Sequence, residues 1–171
     1  MKKIIIALML ATSGLIFGQQ TNLEQLIDKY SEKDDYTMVY ISKFMFDLLR
    51  EVDVDLDDKE AEEILKHLNS IIILTKEGIT EDTFRNDMKN IMQQENFQTL
   101  MRIKEDGENI TFMAIEEMGR IKEFVMLVDA PEDATLIYIK GDITTKQLSN
   151  LSKTMSISGL EKLDSLDHKN Q

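Results

Sequence analysis

The chain has 171 residues, no cysteine and one proline, and its 32 acidic against 20 basic side chains give a formal net charge of −12. Without thiols there can be no disulfide bond, no thiolate nucleophile and no cysteine metal ligand, so a hydrophobic core must hold the fold. The negative charge disfavours nucleic acid and anionic membrane surfaces as partners.

The first 18 residues, MKKIIIALMLATSGLIFG, have the layout of a secretory signal peptide. Lys2 and Lys3 form a positive start, an apolar run follows, and small residues precede an expected cut before Gln19. The uninterrupted run is shorter than the roughly 20 apolar residues of a spanning helix. A cysteine that could carry a lipid at the cleavage site is also missing. We therefore expect a periplasmic or secreted protein with no stable membrane anchor after cleavage.

The first half of the remaining chain alternates between helical and strand-like segments. Residues 19–35 predict a short helical segment, loosely attached to the domain that follows. Within that domain, 36–41 and 70–75 are rich in β-branched and apolar residues and predict strands. Helices are predicted over 43–52, 59–69 and 80–95. The apolar stripe of the first of these, which we expect to face the core, consists of Phe44, Met45, Leu48, Leu49 and Val52.

The second half of the chain predicts four strands in a row and a last helix. Segments 97–104 and 109–116 flank the turn signal Asp106-Gly107, and a second hairpin occupies 121–143. The domain is expected to span 36–152, and residues 153–171 to form a partly disordered tail. The order of elements predicts a single α+β domain in which a largely antiparallel sheet of about six strands packs with helices.

The 121–143 hairpin has apolar residues on both of its faces. Phe124, Met126 and Val128 alternate with Val125 and Leu127. Either helices cover both faces of this hairpin, or one face is left for a partner or a second copy of the chain. The five predicted helices favour the first interpretation.

The acidic segment DVDLDD offers the closest approach to a metal site. Asp53, Asp55 and Asp57 supply alternating carboxylates of the kind that calcium takes as ligands. The EF-hand pattern would require glycine at Asp58 and glutamate at Ile64, and the sequence has neither. A solvated loop that caps the following helix is the competing interpretation.

No arrangement of catalytic residues is recognisable in the sequence. His67 and His168 are the only histidines, and neither lies in an HExxH motif or near a GxSxG serine. Glycine-rich nucleotide-binding motifs are also missing. The sequence therefore predicts no catalytic residue and no cofactor.

Four segments between residues 36 and 151 carry a family resemblance: TMVYISKFMFDLL, SIIILT, TLMRIKEDGENITFMAIEE and LIYIKGDITTKQLSNL. With these segments the chain resembles the DUF4252 proteins, small exported proteins of Bacteroidota to which no function is assigned. Many of these relatives look like lipoproteins. Because Gly18 and Gln19 stand where the lipidated cysteine would be, the resemblance implies a soluble form here.

These observations favour an exported, non-enzymatic protein that binds another protein of the envelope or assists envelope maintenance. The alternative is a carrier of a small ligand or of a cation such as calcium. A hydrolase with a site assembled from scattered residues ranks last. The oligomeric state stays open.

Overall fold

The computed structural model describes residues 21–51, 59–78, 83–105 and 107–155. Helices and strands follow one another as α1 (Asn22–Ser31), β1 (Tyr36–Ser42), α2 (Lys43–Glu51), α3 (Lys59–His67), β2 (Leu68–Glu77), α4 (Thr83–Gln94), β3 (Gln98–Glu105), β4 (Glu108–Glu117), β5 (Arg120–Asp129), β6 (Asp133–Ile143) and α5 (Thr145–Met155).

All strands join one antiparallel sheet in the order β1-β2-β6-β5-β4-β3. The β5–β6 hairpin lies in its interior, where Leu127 pairs with Leu136 and Leu136 pairs with Leu74. The predicted α+β domain with a six-stranded antiparallel sheet is thereby confirmed. Within the described ranges, no helix has the length and apolar character to cross a membrane.

Helices cover the hairpin on both faces of the sheet. One face carries Phe124 and Met126 and packs against side chains of α2, α3 and α5, which are Phe46, Ile64 and Leu148. The opposite face carries Val125 and Leu127, and it packs against α1 and α4. Val125 is fully buried and Leu127 is 6% exposed. The idea that this hairpin leaves one face open for a partner is therefore wrong.

Helix α1 belongs to the core, so the predicted loose attachment of this segment is also wrong. Leu23, Ile27 and Tyr30 are at most 1% exposed. A capping box starts the helix, since Thr21 Oγ1 accepts from the Glu24 backbone N–H and Glu24 Oε2 accepts from that of Thr21. The helix has only 10 residues, so its stability depends on the sheet face that it covers.

Candidate functional site

The two edges of the sheet differ in their chemistry. At one edge, β3 carries Arg102, Lys104 and Glu105, and its register with β4 shifts between Thr99 and Met101. At the other edge, β1 has the sequence YTMVYIS and keeps an unbroken register with β2 over its whole length. Charged side chains, prolines and bulges are the usual means by which edge strands avoid pairing with other chains. Strand β1 has none of them and is chemically open to another strand.

Side chains of β1 are exposed on both faces of the sheet. Met38 and Tyr40, which are 40% and 57% exposed, lie on the face that α1 and α4 cover elsewhere. Val39 lies on the opposite face and is 46% exposed. A strand with apolar residues on both faces is typical of a sheet interior, yet this one lies at the edge.

Helix α2 follows β1 directly and adds to this exposed apolar surface. The side chain of Phe46 is buried in the core, whereas Phe44 is 75% exposed. The predicted inward stripe of α2 is therefore wrong for three of its members, and Val52 lies outside the described residues. We define the β1–α2 surface by the large exposed apolar side chains of these two elements: Met38, Val39, Tyr40, Phe44, Met45 and Leu48.

Three aromatic rings fix the start of β1 to the core. The ring centroid of Tyr36 lies 5.0 Å from that of Tyr30 and 5.5 Å from that of Phe84. Lys33 Nζ lies 4.5 Å from the Tyr30 ring centroid, a distance suited to a cation–π contact. Burial, with the carboxylates of Asp35 and Asp87, raises the pKa of Tyr36 to about 12, which keeps its hydroxyl neutral. The edge strand is thus held in place before any partner arrives.

The sequence profile described as "Domain of unknown function (DUF4252)" matches residues 30–151. The chain belongs to the DUF4252 family. Comparison with curated proteins finds no match. The region matched to DUF4252 contains the whole β1–α2 surface, whereas most of α1 precedes it.

The predicted calcium ligands Asp53, Asp55 and Asp57 lie outside the described residues, so this site stays a prediction. In the ranges that the structure does describe, no group of three or more histidine, aspartate or glutamate side chains could hold a metal ion. His67 Nε2 lies 3.4 Å from a carboxylate oxygen of Glu63, one turn earlier on α3. His168 also falls outside the described part of this DUF4252 chain.

A polar cluster under the start of α1 was not predicted from the sequence. Lys140 Nζ donates to Glu24 Oε1 at 2.8 Å, and the Tyr138 hydroxyl donates to Glu123 Oε2 at 2.5 Å. The backbone N–H of Leu23 donates to Glu95 Oε1 at 3.2 Å. The spacing of Thr21 and Glu24 is the one signal in the sequence that points to this region, because it matches a capping box. No local pattern indicates Glu95, which follows α4, or the residues on β5 and β6.

The carboxyl groups of this cluster have pKa values shifted in opposite directions. Burial raises the pKa of Glu24, but hydrogen bonds from Lys140 and Thr21 outweigh it and hold the pKa below its usual value. Burial raises the pKa of Glu95, and the nearby carboxylates of Glu123 and Glu24 add to the rise. Glu95 Oε2 is buried without a hydrogen-bond partner among the described residues. Since these contacts join α1 to the sheet and to Glu95, the residue that follows α4, the cluster acts in stability.

Proposed function

We propose that this DUF4252 protein is an exported, non-enzymatic protein that binds another protein of the cell envelope through the β1–α2 surface. One observation carries the proposal: β1 is an uncharged, unbulged edge strand whose apolar side chains are exposed on both faces. The periplasmic or secreted location is supported by the signal-like layout of residues 1–18.

The chemistry of β1 specifies the segment of the partner that would bind. An extended segment pairing with β1 would satisfy the backbone N–H and C=O groups that point away from β2. Side chains of the partner would then lie beside Met38 and Tyr40 on one face and Val39 on the other. A charged side chain at these positions would lose hydration without gaining a counter-ion. The partner segment is therefore extended, uncharged and apolar on both faces.

Helix α2 offers the partner a second contact next to this strand. Phe44, Met45 and Leu48 are spaced so that they lie on one face of the helix, and all three are exposed. Aromatic residues are frequent among the side chains that dominate binding energy, and methionine adapts to irregular surfaces. We expect strand pairing to give the register and α2 to add affinity and selectivity.

The test places a photo-crosslinking phenylalanine analogue at Tyr40 in the full-length protein, expressed with a C-terminal tag in its own organism. The matched control carries the analogue at Leu100, an exposed apolar residue on the opposite edge strand. The two positions are compared again after Val39→Lys, which puts a charge on the β1 edge without touching the core. Crosslinked peptides are identified by mass spectrometry.

The proposal predicts a crosslink from position 40 to an uncharged, apolar segment of one envelope protein. That crosslink should be lost with Val39→Lys, and position 100 should not produce it. Equal yields from positions 40 and 100, or yields unaffected by Val39→Lys, would contradict it. Crosslinks between two copies of this chain would also overturn it, because a second copy would then be the occupant of β1.

A further inference from the structure

A groove of about 650 Å³ lies on the opposite side of the molecule from β1. Its walls are α4 on one side and the strands β3, β4 and β5 on the other. The volume lies within the range that is usual for small-molecule sites. Because the groove lies at the other edge of the sheet, a ligand bound there would not involve the β1–α2 surface, and its binding is independent of the proposed function.

Three basic side chains line the groove: Lys89 from α4, and Arg102 and Lys104 from β3. All three are exposed, and in the part of the chain that the structure describes none of them forms an ion pair or a side-chain hydrogen bond. Elsewhere in this acidic protein many basic residues are paired with carboxylates, as Lys29 is with Asp87 and Lys140 with Glu24. The groove therefore concentrates positive charge that has no carboxylate partner among the described residues.

Asp129, the carboxylate that lines the groove, does not neutralise these three cations. It is bound by Arg85, whose guanidinium donates to Asp129 Oδ1 and to the backbone carbonyl of Ala130. Both side chains are largely buried, at 14% and 19% exposure. The negative charge of Asp129 is thus neutralised by Arg85.

The irregularity in β3 places the polar side chains of this strand on the groove face. Thr99 pairs with Met113, and Arg102 pairs with Thr111, so three positions on β3 correspond to two on β4. In a regular strand, residues three apart would point to opposite faces. Lys104, two positions beyond Arg102, continues on the same face at a rise of about 7 Å along the strand. The bulge therefore gathers a hydroxyl, a guanidinium and an ammonium group along one wall.

Apolar side chains form the floor of the groove, and the polar side chains of Gln93 and Asn109 also line it. Met92 from α4, Met113 from β4 and Leu127 from β5 are nearly buried and form its floor, and Phe97 lies at the end between α4 and β3. A cationic wall beside an apolar floor fits a ligand that has an anionic group at one end and an apolar body. Inorganic ions would leave this floor unused.

We propose that the groove binds an amphipathic phosphate, a phosphate monoester carried on an apolar chain. A phosphate monoester has a charge near −1.5 to −2 at neutral pH. This charge matches three cations that have no ion-pair partner among the described residues better than a single carboxylate does. The guanidinium of Arg102 can donate two parallel hydrogen bonds to phosphate oxygens, and the lysines add point charges. Hydroxyl groups of Thr99 and Thr111 line the same site and supply further donors.

Isothermal titration of the purified full-length protein with dodecyl phosphate, below its micelle-forming concentration, tests the proposal. Dodecanoate, inorganic phosphate and dodecyltrimethylammonium are titrated in parallel, so that headgroup, tail and sign of charge are varied separately. Arg102→Gln/Lys104→Gln removes two of the cations. The matched control, Lys43→Gln/Arg50→Gln, removes one lysine and one arginine from exposed ion pairs on α2.

Dodecyl phosphate should bind more tightly than the other three compounds, and raising the salt concentration should weaken its binding. Arg102→Gln/Lys104→Gln should weaken binding by about tenfold or more, since two charge-assisted hydrogen-bonding groups are lost. Lys89→Gln should weaken it to a smaller extent, and the α2 control should not. In NMR spectra, the shifted amides should belong to α4 and β3.

Several results would overturn the proposal. If dodecanoate bound as tightly as dodecyl phosphate, the anionic group of the ligand could no longer be assigned as a phosphate. Equal binding of dodecyltrimethylammonium, or an unchanged affinity of Arg102→Gln/Lys104→Gln, would show that apolar contact alone is responsible. Absence of any binding by dodecyl phosphate to the folded protein would exclude the site. Circular dichroism of each variant establishes that the fold is intact.

Discussion

Lys140 Nζ and Glu24 Oε1 lie 2.8 Å apart and join the central strand β6 to the first turn of α1. The two residues are 116 positions apart in the chain. Their side chains are 28% and 22% exposed, so solvent screens the pair less than it screens an exposed ion pair. Most of α1 precedes the region 30–151 that matches DUF4252. This contact therefore holds a segment outside the matched region against the centre of the sheet.

Glu24→Gln is expected to destabilise the protein by about 1–2 kcal/mol at pH 7, because it weakens both the capping box and the ion pair. The folded-state pKa of Glu24 is held below its usual value of 4.5. A carboxyl group of this kind stabilises the fold above its unfolded-state pKa, and the contribution is lost as the pH falls through the folded-state pKa. The loss in the free energy of unfolding caused by Glu24→Gln should therefore shrink between pH 5 and pH 3. Urea unfolding measures this loss, and we expect the variant and the original protein to have about the same m-value.

Glu32→Gln serves as the control for Glu24, since Glu32 is an exposed residue that follows the same helix. Its substitution should change the free energy of unfolding by less than about 0.5 kcal/mol. A loss for Glu24→Gln that stayed constant from pH 7 to pH 3 would show that the charge of Glu24 is irrelevant.

Glu95→Gln is expected to act in the opposite direction. Burial raises the pKa of Glu95, so the folded state disfavours its ionised form. An acid with a raised folded-state pKa reduces stability as the pH rises above the unfolded-state pKa. Glutamine keeps an oxygen that can accept from Leu23 and removes the charge. We expect a gain of up to about 1 kcal/mol at pH 7, or a few degrees in Tm.

The gain from Glu95→Gln should disappear when the protein is unfolded at a pH well below 4.5, where Glu95 is protonated in both the folded and the unfolded state. Glu116→Gln, which changes an exposed carboxylate on β4, is the matched control and should change little at either pH. A lower Tm for Glu95→Gln at pH 7 would mean that the ionised carboxylate contributes to the fold.

The β5–β6 hairpin could be predicted because alternating apolar residues on two short segments specify local geometry on their own. The sequence also favours burial of both faces of this hairpin, because it predicts enough helices to cover them. Residues such as Phe124 and Val125 are thus buried on opposite faces of one strand. These features depend on neighbours in sequence or on the total number of elements.

The errors arose where burial depends on contacts between distant segments. The sequence predicts an apolar stripe on α2, but periodicity does not reveal that Phe46 enters the core while Phe44 stays exposed. Similarly, the spacing of Leu23 and Ile27 predicted a helix but not the sheet face beneath it. The groove could not be predicted, because Arg102 and Thr99 reach one face only through a bulge defined by pairing with β4.

Gly141→Ala tests the contact between β6 and the junction of α3 and β2. A Cβ atom at residue 141 would lie 2.6 Å from the backbone carbonyl oxygen of His67. The opposing atom belongs to the backbone beside Leu68, which is fully buried and pairs with Gly141. The two segments must move apart, which should cost about 1–3 kcal/mol in the free energy of unfolding. An unchanged urea midpoint would show that this junction accommodates the added Cβ without loss in the free energy of unfolding.

Met118→Asn is expected to stabilise the turn between β4 and β5. Glu117 pairs with Arg120, so Met118 and Gly119 form a two-residue connection, and both have positive φ, at 54° and 77°. Such turns favour Asn-Gly, whereas a left-handed conformation costs most other residues about 1–2 kcal/mol. Met118 is fully exposed, so no described packing is lost.

For Met118→Asn we expect a gain of about 0.5–1 kcal/mol in thermal or urea unfolding, because asparagine tolerates positive φ better than methionine does. Met118→Ala is the matched control: it also removes the long side chain but keeps a residue that disfavours positive φ, so it should give no gain. Equal stability of the asparagine and alanine variants would show that the conformation of this turn does not limit stability. A loss of stability in both variants would instead assign a packing role to the Met118 side chain.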